Sequence, residues 1–289
     1  MTASKSPVRK VVLPVAGLGT RCLPATKVLP KELLPVFDRP LIQYAVEEAA
    51  AAGIEQIILV TARGKSLLED HFDRAPELER TLELRGKQDA LATARATLPP
   101  DVSLSSVRQP EALGLGHAVW CARALLGDEP FAVILPDDLV LAPRACLAQM
   151  IDAWRETGGN MAAVEEVPAA DTARYGILDV ESDNGKLARA RGLVEKPKPE
   201  AAPSRLAIIG RYVLDNRVLR ALGSGRRGAG GEIQLTDAMA DCLPGVPFHG
   251  FRFEGQRIDC GTPEGLLAGS LAVAARDPAL RARLKLMLQ

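Results

Sequence analysis

Residues 11–35 read VVLPVAGLGTRCLPATKVLPKELLP, an apolar run that breaks into a loop of glycines and bases. Residues 11–16 have the continuous apolar pattern of a strand covered on both faces of a parallel sheet. The loop leaving its carboxyl end carries Gly17, Gly19, Thr20 and Arg21, then Lys27 and Lys31. Glycines let backbone N–H groups approach an anion and the bases neutralise its charge, so the stretch suits a polyphosphate. Two familiar phosphate loops are excluded. The pattern GxxxxGK[ST] is absent, and GxGxxG fails because Cys22 occupies the third glycine position. What remains is GxGTR with a downstream PK.

Working outward, Pro40 opens a helix over 40–52 that stops at Gly53, and QIILVTA (56–62) is a second buried strand, which together make one βαβ unit. A short helix over 67–72 and a longer charged one over 77–96 follow. Residues 102–107 read as a strand ending at Gln109, and the loop ALGLGHA leads into a helix over 118–125. The apolar strand 131–135 stops at Pro136, Asp137 and Asp138. Each of these strands ends in polar or glycine residues at its carboxyl end, where open parallel sheets bind ligands. From about residue 161 the strands shorten (162–167, 175–180, 187–196, 207–214), with Gly, Pro and Asn turns between them. A mixed, partly antiparallel second half that closes over the first is expected. A glycine-rich loop (223–231), a helix (232–243), a strand (248–253) and a helical stretch from 263 to about 288 complete the chain.

The expected fold class is α/β: a Rossmann-like mixed, mainly parallel central sheet flanked by helices, with a smaller β-rich part. No linker separates independent domains, so residues 1–289 read as one domain. Its parts are a half carrying the glycine-and-base loop (about 8–160), a half carrying Glu195 and Lys196 (about 161–262) and a C-terminal helical stretch (about 263–289). A formal net charge of zero offers no global basic field for nucleic acid or an anionic membrane, so anion binding must come from local clusters. The five cysteines form no CxxC pair, which argues against a zinc knuckle or a disulfide framework and fits a reducing cytoplasm. No apolar run precedes the first strand or reaches ~18 residues, so neither secretion nor membrane spanning is expected.

Four groups of residues carry chemistry. Arg21 offers a planar fork and Lys31 a point charge, a pairing suited to a triphosphate whose charge shifts during reaction. Gln109 presents a donor and an acceptor that can read a base edge, and Gly114 lets a base lie against backbone; a plain turn glutamine and loop glycine fit as well. Asp137 and Asp138 sit at a strand end beside the phosphate loop, where carboxylates suit Mg²⁺, and Asp259 is a second source of carboxylate. Glu195 and Lys196, an acid and a base before Pro197, suit sugar hydroxyls and a sugar phosphate, or a solvated turn. His117 reads as a helix-face residue.

The motifs LPVAGLGTRCLPATKVLPKELLP, RQPEALGLGHAV, ILPDD, YGILD, VEKP, LAIIGRYVL, GGEIQLTDA and IDCGTPEG occur together and in order. Over residues 8–275 the chain resembles the bacterial UTP–glucose-1-phosphate uridylyltransferases, within the sugar nucleotidyltransferase superfamily. The resemblance implies the nucleotidyltransferase fold and the partners UTP, glucose 1-phosphate, UDP-glucose and pyrophosphate. It implies that Ala16, Gly17, Gly19, Thr20, Arg21 and Lys31 bind UTP phosphates, that Gln109 and Gly114 read uracil, and that Asp138 adds to the nucleotide site. Gly176, Glu195, Lys196 and Gly210 would hold glucose 1-phosphate, with Lys196 on its phosphate; Asp137 and Asp259 would hold Mg²⁺. Arg21, Lys31, Asp137 and Lys196 are the implied catalytic set. Cys22 and Leu34 depart from the family's usual larger apolar residue and Met. A homodimer or homotetramer is implied, with 266–288 as an interface or a core-packing helix. Three other readings stay open: a thymidylyltransferase using dTTP, a nucleotide sensor without catalysis, and a dinucleotide-dependent oxidoreductase.

Overall fold

The computed structural model describes residues 7–287. The N-terminal reading over residues 1–6 and the end of the C-terminal stretch at Leu288 fall outside them. In chain order the strands are β1 Lys10–Pro14, the short pair β2 Pro35–Val36 and β3 Arg39–Pro40, β4 Gln56–Thr61, β5 Ser103–Arg108, β6 Phe131–Ile134, β7 Asp138–Leu141, β8 Asn160–Glu166, β9 Gly176–Asp183, β10 Leu187–Glu195, β11 Leu206–Leu214, β12 Phe248–Phe251 and β13 Gln256–Asp259. Nine of them form one sheet in the order β5-β4-β1-β6-β11-β8-β12-β10-β9. The pairings β5·β4, β4·β1 and β1·β6 are parallel, as is β8·β12. Those of β11 with β6 and β8, and of β10 with β12 and β9, are antiparallel.

The second half therefore does not close over the first; its strands extend the same sheet. The physical reason lies in β11, LAIIGRYVL, which is buried at every position. A strand with no solvent face needs neighbours on both edges and cover on both faces, and the slot between β6 and β8 supplies them.

Alternation along the strands sorts the core into two layers. Val12, Ile58, Val133 and Tyr212 face helices Leu115–Cys121, Arg217–Leu222 and Leu235–Cys242. Val11, Leu13, Ile57, Leu59 and Ile134 face helices Leu41–Ala51 and Cys146–Thr157. The helix Cys146–Thr157 has no counterpart in the sequence reading. Its signal was there: Cys146, Leu147, Met150, Ile151 and Trp154 recur at helical spacing and are all buried.

Three boundaries also move. The expected helix over 77–96 is two helices, Pro76–Leu84 and Gln88–Arg95, parted near Gly86 at φ 65°. The helix expected from 118 begins earlier, at Leu115 inside ALGLG. The helix expected from 232 begins at Leu235, because the residues before it are extended and pair with the ALGLG loop: Ile233 N–H donates to Leu113 O (2.7 Å) and Gly116 N–H to Ile233 O (2.9 Å).

Outside the main sheet, β7 and β13 form a two-stranded antiparallel ladder in which Asp259 stands opposite Asp138. Helix Pro263–Ala274 follows, opened by Thr262, whose side chain accepts the Gly265 N–H.

Candidate active site

The loop after β1 does not run into a helix as a dinucleotide loop would. It folds into three single 3₁₀ turns, Thr20–Cys22, Ala25–Lys27 and Lys31–Leu33. Gly19 has φ 66°, the left-handed region that favours glycine, and Thr26 Oγ1 donates to its carbonyl at 2.8 Å. A Cβ added there would lie 3.2 Å from Lys31 Cβ, so the glycine segment and the PKE turn are packed together. Lys31 Nζ reaches Asp137 Oδ2 at 2.5 Å. Burial works against both charges, yet each stabilises the other. The Asp137 carboxyl stays below its ordinary range and the Lys31 ammonium above its own, so the pair is ionised at neutral pH.

Arg21 lies between two carboxylates, with its guanidinium 3.7 Å from Asp137 Oδ2 and 3.9 Å from Asp259 Oδ2. Asp259 is also 3.3 Å from Arg174. Among the described residues no three His, Cys, Asp or Glu gather as a metal cage. The pair Asp137 and Asp259 on the cleft nonetheless fits Mg²⁺, which takes one or two carboxylates and completes its shell with water and substrate oxygens.

Asp138 also lines the cleft but has different partners. Its buried carboxylate accepts the Gly210 N–H at 3.0 Å and is held by Arg257 at 2.6 Å through Nε. Burial pushes its pKa up against the pull of the Arg257 charge. Through these bonds Asp138, at the cleft, ties the ladder β7·β13 to β11.

On the far side of the cleft, Gly176 pairs with Glu195 across β9 and β10. A Cβ on Gly176 would sit 2.8 Å from Thr236 Oγ1 and 3.2 Å from Glu195 Oε2, so a larger residue would fill this corner. Lys196 has φ 47°, strained for a residue with a Cβ. Its N–H donates to Tyr175 O at 2.9 Å and its ammonium lies 3.4 Å from Glu195 Oε1. Such strain is held by the surrounding structure. Gly210 has Asp138 Oδ2 and Leu135 Cβ each 2.6 Å from where its Cβ would be.

These residues line one cleft of about 280 Å³, which joins Arg21, Asp137 and Asp259 to Gly176, Glu195, Lys196 and Gly210. Gln109 and Gly114 stand to one side and together: Gln109 Nε2 donates to Gly114 O at 3.0 Å and lies 3.2 Å from His117 Nδ1. Gly114 has φ 101°, and a Cβ on it would be 2.7 Å from Glu232 Cβ, a residue of the cleft wall. His117 is buried against Gln109 rather than lying on an open helix face.

The sequence reading missed Arg174, Tyr175, Thr236 and Arg257. Arg257 was within reach, because it lies two residues before Asp259 on a strand and so shares its face. Arg174 ends a 3₁₀ run with no periodicity to read.

The profile of the nucleotidyl transferase family matches residues 10–276, and the chain belongs to that family. Within it, the chain falls among the UTP–glucose-1-phosphate uridylyltransferases. It is 54% identical over 256 residues to the protein of that name from Komagataeibacter xylinus, covering 89% of this chain and 90% of that one. It is 48% identical over 278 residues to the protein of the same name from Bacillus subtilis strain 168, covering 96% and 94%. Among solved structures, the UTP-bound UGPase from Acinetobacter baumannii is 44% identical and matches with a TM-score of 0.89 over 97% of this chain and 98% of that one.

Proposed function

We propose that this protein joins UTP and α-D-glucose 1-phosphate to give UDP-glucose and pyrophosphate. The observation that carries the reading is the single cleft bordered on one side by Arg21, Asp137 and Asp259 and on the other by Gly176, Glu195 and Lys196. It gives two anionic substrates separate seats that share a boundary. The relatives' names support uridylyl transfer over thymidylyl transfer.

In the reaction, an oxygen of the sugar phosphate attacks the α-phosphorus of UTP. The bond from that phosphorus to the oxygen bridging to the β-phosphorus breaks, and pyrophosphate leaves. A phosphomonoester has a second pKa near ~6 and is largely dianionic at neutral pH, so no general base is needed. This agrees with a cleft that no histidine or cysteine lines among the described residues.

The protein's task is alignment and cancellation of charge. The Ala16–Arg21 loop and Lys31 hold the triphosphate, with Gln109 and Gly114 at the uracil. Glu195 accepts sugar hydroxyls beside Gly176, and Lys196 binds the sugar phosphate. Arg21, between the two carboxylates, is the cation at the reacting phosphorus. Mg²⁺, when bound by Asp137 and Asp259, would neutralise triphosphate oxygens. Asp138, held by Arg257, adds to the nucleotide side of the cleft, and Gly210 leaves room on the sugar-phosphate side. No helix among the described residues is long and apolar enough to cross a membrane. A cytoplasmic homodimer or homotetramer completes the reading.

The test is product identity. UDP-glucose forms from UTP and glucose 1-phosphate under multiple-turnover conditions; formation of a thymidine sugar from dTTP at a higher rate would reassign the nucleotide.

A further inference from the structure

Lys65 follows β4 with its side chain 10% exposed, an unusual place for an ammonium. It donates to the backbone oxygen of Val15 and, at 3.1 Å, to Glu32 Oε2. Glu32 is 1% exposed, and its other oxygen is buried without a hydrogen-bond partner. A buried ion pair is poor evidence of stabilisation, because removing two charges from water costs about as much as their attraction returns. Its geometry says more.

Val15 is where β1 gives way to the nucleotide loop, and its carbonyl shares a peptide plane with the Ala16 N–H. In a planar trans peptide the two point opposite ways, so anchoring the carbonyl on Lys65 sets the direction of that N–H. Glu32 is the residue after Lys31, in the turn whose ammonium meets Asp137. One buried ammonium thus ties the entry of the loop to its exit. The close packing of Gly19 on Lys31 makes the intervening chain follow.

We propose that Lys65 and Glu32 are positioning residues for the nucleoside triphosphate: their pair sets the Ala16 N–H and the Lys31 turn in the relative placement that the triphosphate needs. The inference rests on the functional reading above. It predicts an effect confined to UTP, because Gly176, Glu195 and Lys196 belong to β9, β10 and the turn that follows, remote in the sheet order from β1 and β4.

The test uses Glu32→Gln, Lys65→Met and the double variant in the full-length protein, with melting temperature and the KM of each substrate measured. Each single variant leaves a charge or a donor uncompensated and melts lower. The double variant removes both charges and regains most of the lost melting temperature, yet its KM for UTP stays raised by about tenfold while that for glucose 1-phosphate stays within about twofold, since small misplacements of binding groups are costly. A purely structural pair gives a double variant with both stability and UTP KM restored, and that result overturns the proposal, as does an equal loss for both substrates. If the Lys65 variants do not fold, Glu32→Gln, which keeps size, decides alone: a raised UTP KM with glucose 1-phosphate unchanged supports the proposal, and an unchanged UTP KM overturns it. Wild-type protein inactive with both substrates would instead refute the functional reading.

Discussion

Asp259 stands opposite Asp138 in the β7·β13 ladder, and the Cys260 N–H, one residue on, donates to the Asp137 carbonyl at 2.8 Å. This pairing brings the end of the chain's last strand to the end of β6 and sets two carboxylates, Asp137 and Asp259, around one guanidinium, that of Arg21. Neighbours in sequence then divide the work. Both line the cleft, Asp137 bound to Lys31 and Asp138 holding Gly210 and Arg257.

Arg21 and Lys196 are expected to fail differently. Arg21→Ala removes a charge realised at the reacting phosphorus, so turnover should fall by ~10²-fold or more with little change in KM. Lys196→Ala should lower turnover and also raise the KM for glucose 1-phosphate. Steady-state kinetics with each substrate varied in turn distinguish the two; wild-type kinetics for either variant would remove that residue from the mechanism.

Gly210→Ala places a methyl group 2.6 Å from both Asp138 Oδ2 and Leu135 Cβ. Both neighbours are held, Asp138 by Arg257, so the site cannot give way cheaply. Overpacking of this kind costs about 1–3 kcal/mol. Urea unfolding should show that loss, and an unchanged midpoint would mean that the floor of the cleft is softer than its contacts indicate.

Arg211 is fully buried and bound to Glu48, with bonds of 3.1 Å from Nε and 2.7 Å from NH2, while its NH1 donates to Leu135 O at 3.2 Å. Arg211→Met strands the Glu48 carboxylate and should cost about 3–5 kcal/mol. Adding Glu48→Leu should return much of that loss. Equal instability of the single and double variants in thermal melts would show that the guanidinium's bond to Leu135 O, not the ion pair, holds β11 to β6.

Glu79 offers a test in acid. Hydrogen bonds from Arg74, and then from Arg95, hold its carboxyl down at about 2 from an ordinary 4.5. A depressed folded-state pKa adds stability that is fully present above the unfolded value and is lost as pH falls through the folded one. Glu79→Gln should therefore melt lower than wild type at pH 7, with the difference narrowing below about pH 4.5 and closing near 2. A difference that does not vary with pH would mean that packing, not charge, joins the two helices there.

Much of this was legible in the sequence, for reasons particular residues make plain. The apolar runs of β1, β4 and β6 needed no context, because strands buried on both faces announce themselves. The carboxyl ends of β1 and β6 carried Arg21 and Asp137 by position alone, and that of β5 carried Gln109. The placement of β11 was not legible: sequence order gives no sign that a strand so late in the chain enters the middle of the sheet, and only its complete burial explains it. The division between Asp137 and Asp138 was hidden for a related reason. The partner of Asp138 is Arg257, from a strand far along the chain, whereas that of Asp137 is Lys31 from the first loop. Lys65 was unreadable as a loop anchor, since its partners are a backbone oxygen and a glutamate brought to it only by the fold.

The central claim is tested most directly by measuring pyrophosphate release from UTP and glucose 1-phosphate, each alone and together, with Mg²⁺ and with the metal chelated. Release should require both substrates and the metal, with UDP-glucose formed in equal amount. UTP binding without pyrophosphate release in any condition would contradict the account and leave a nucleotide-binding protein without the transferase step.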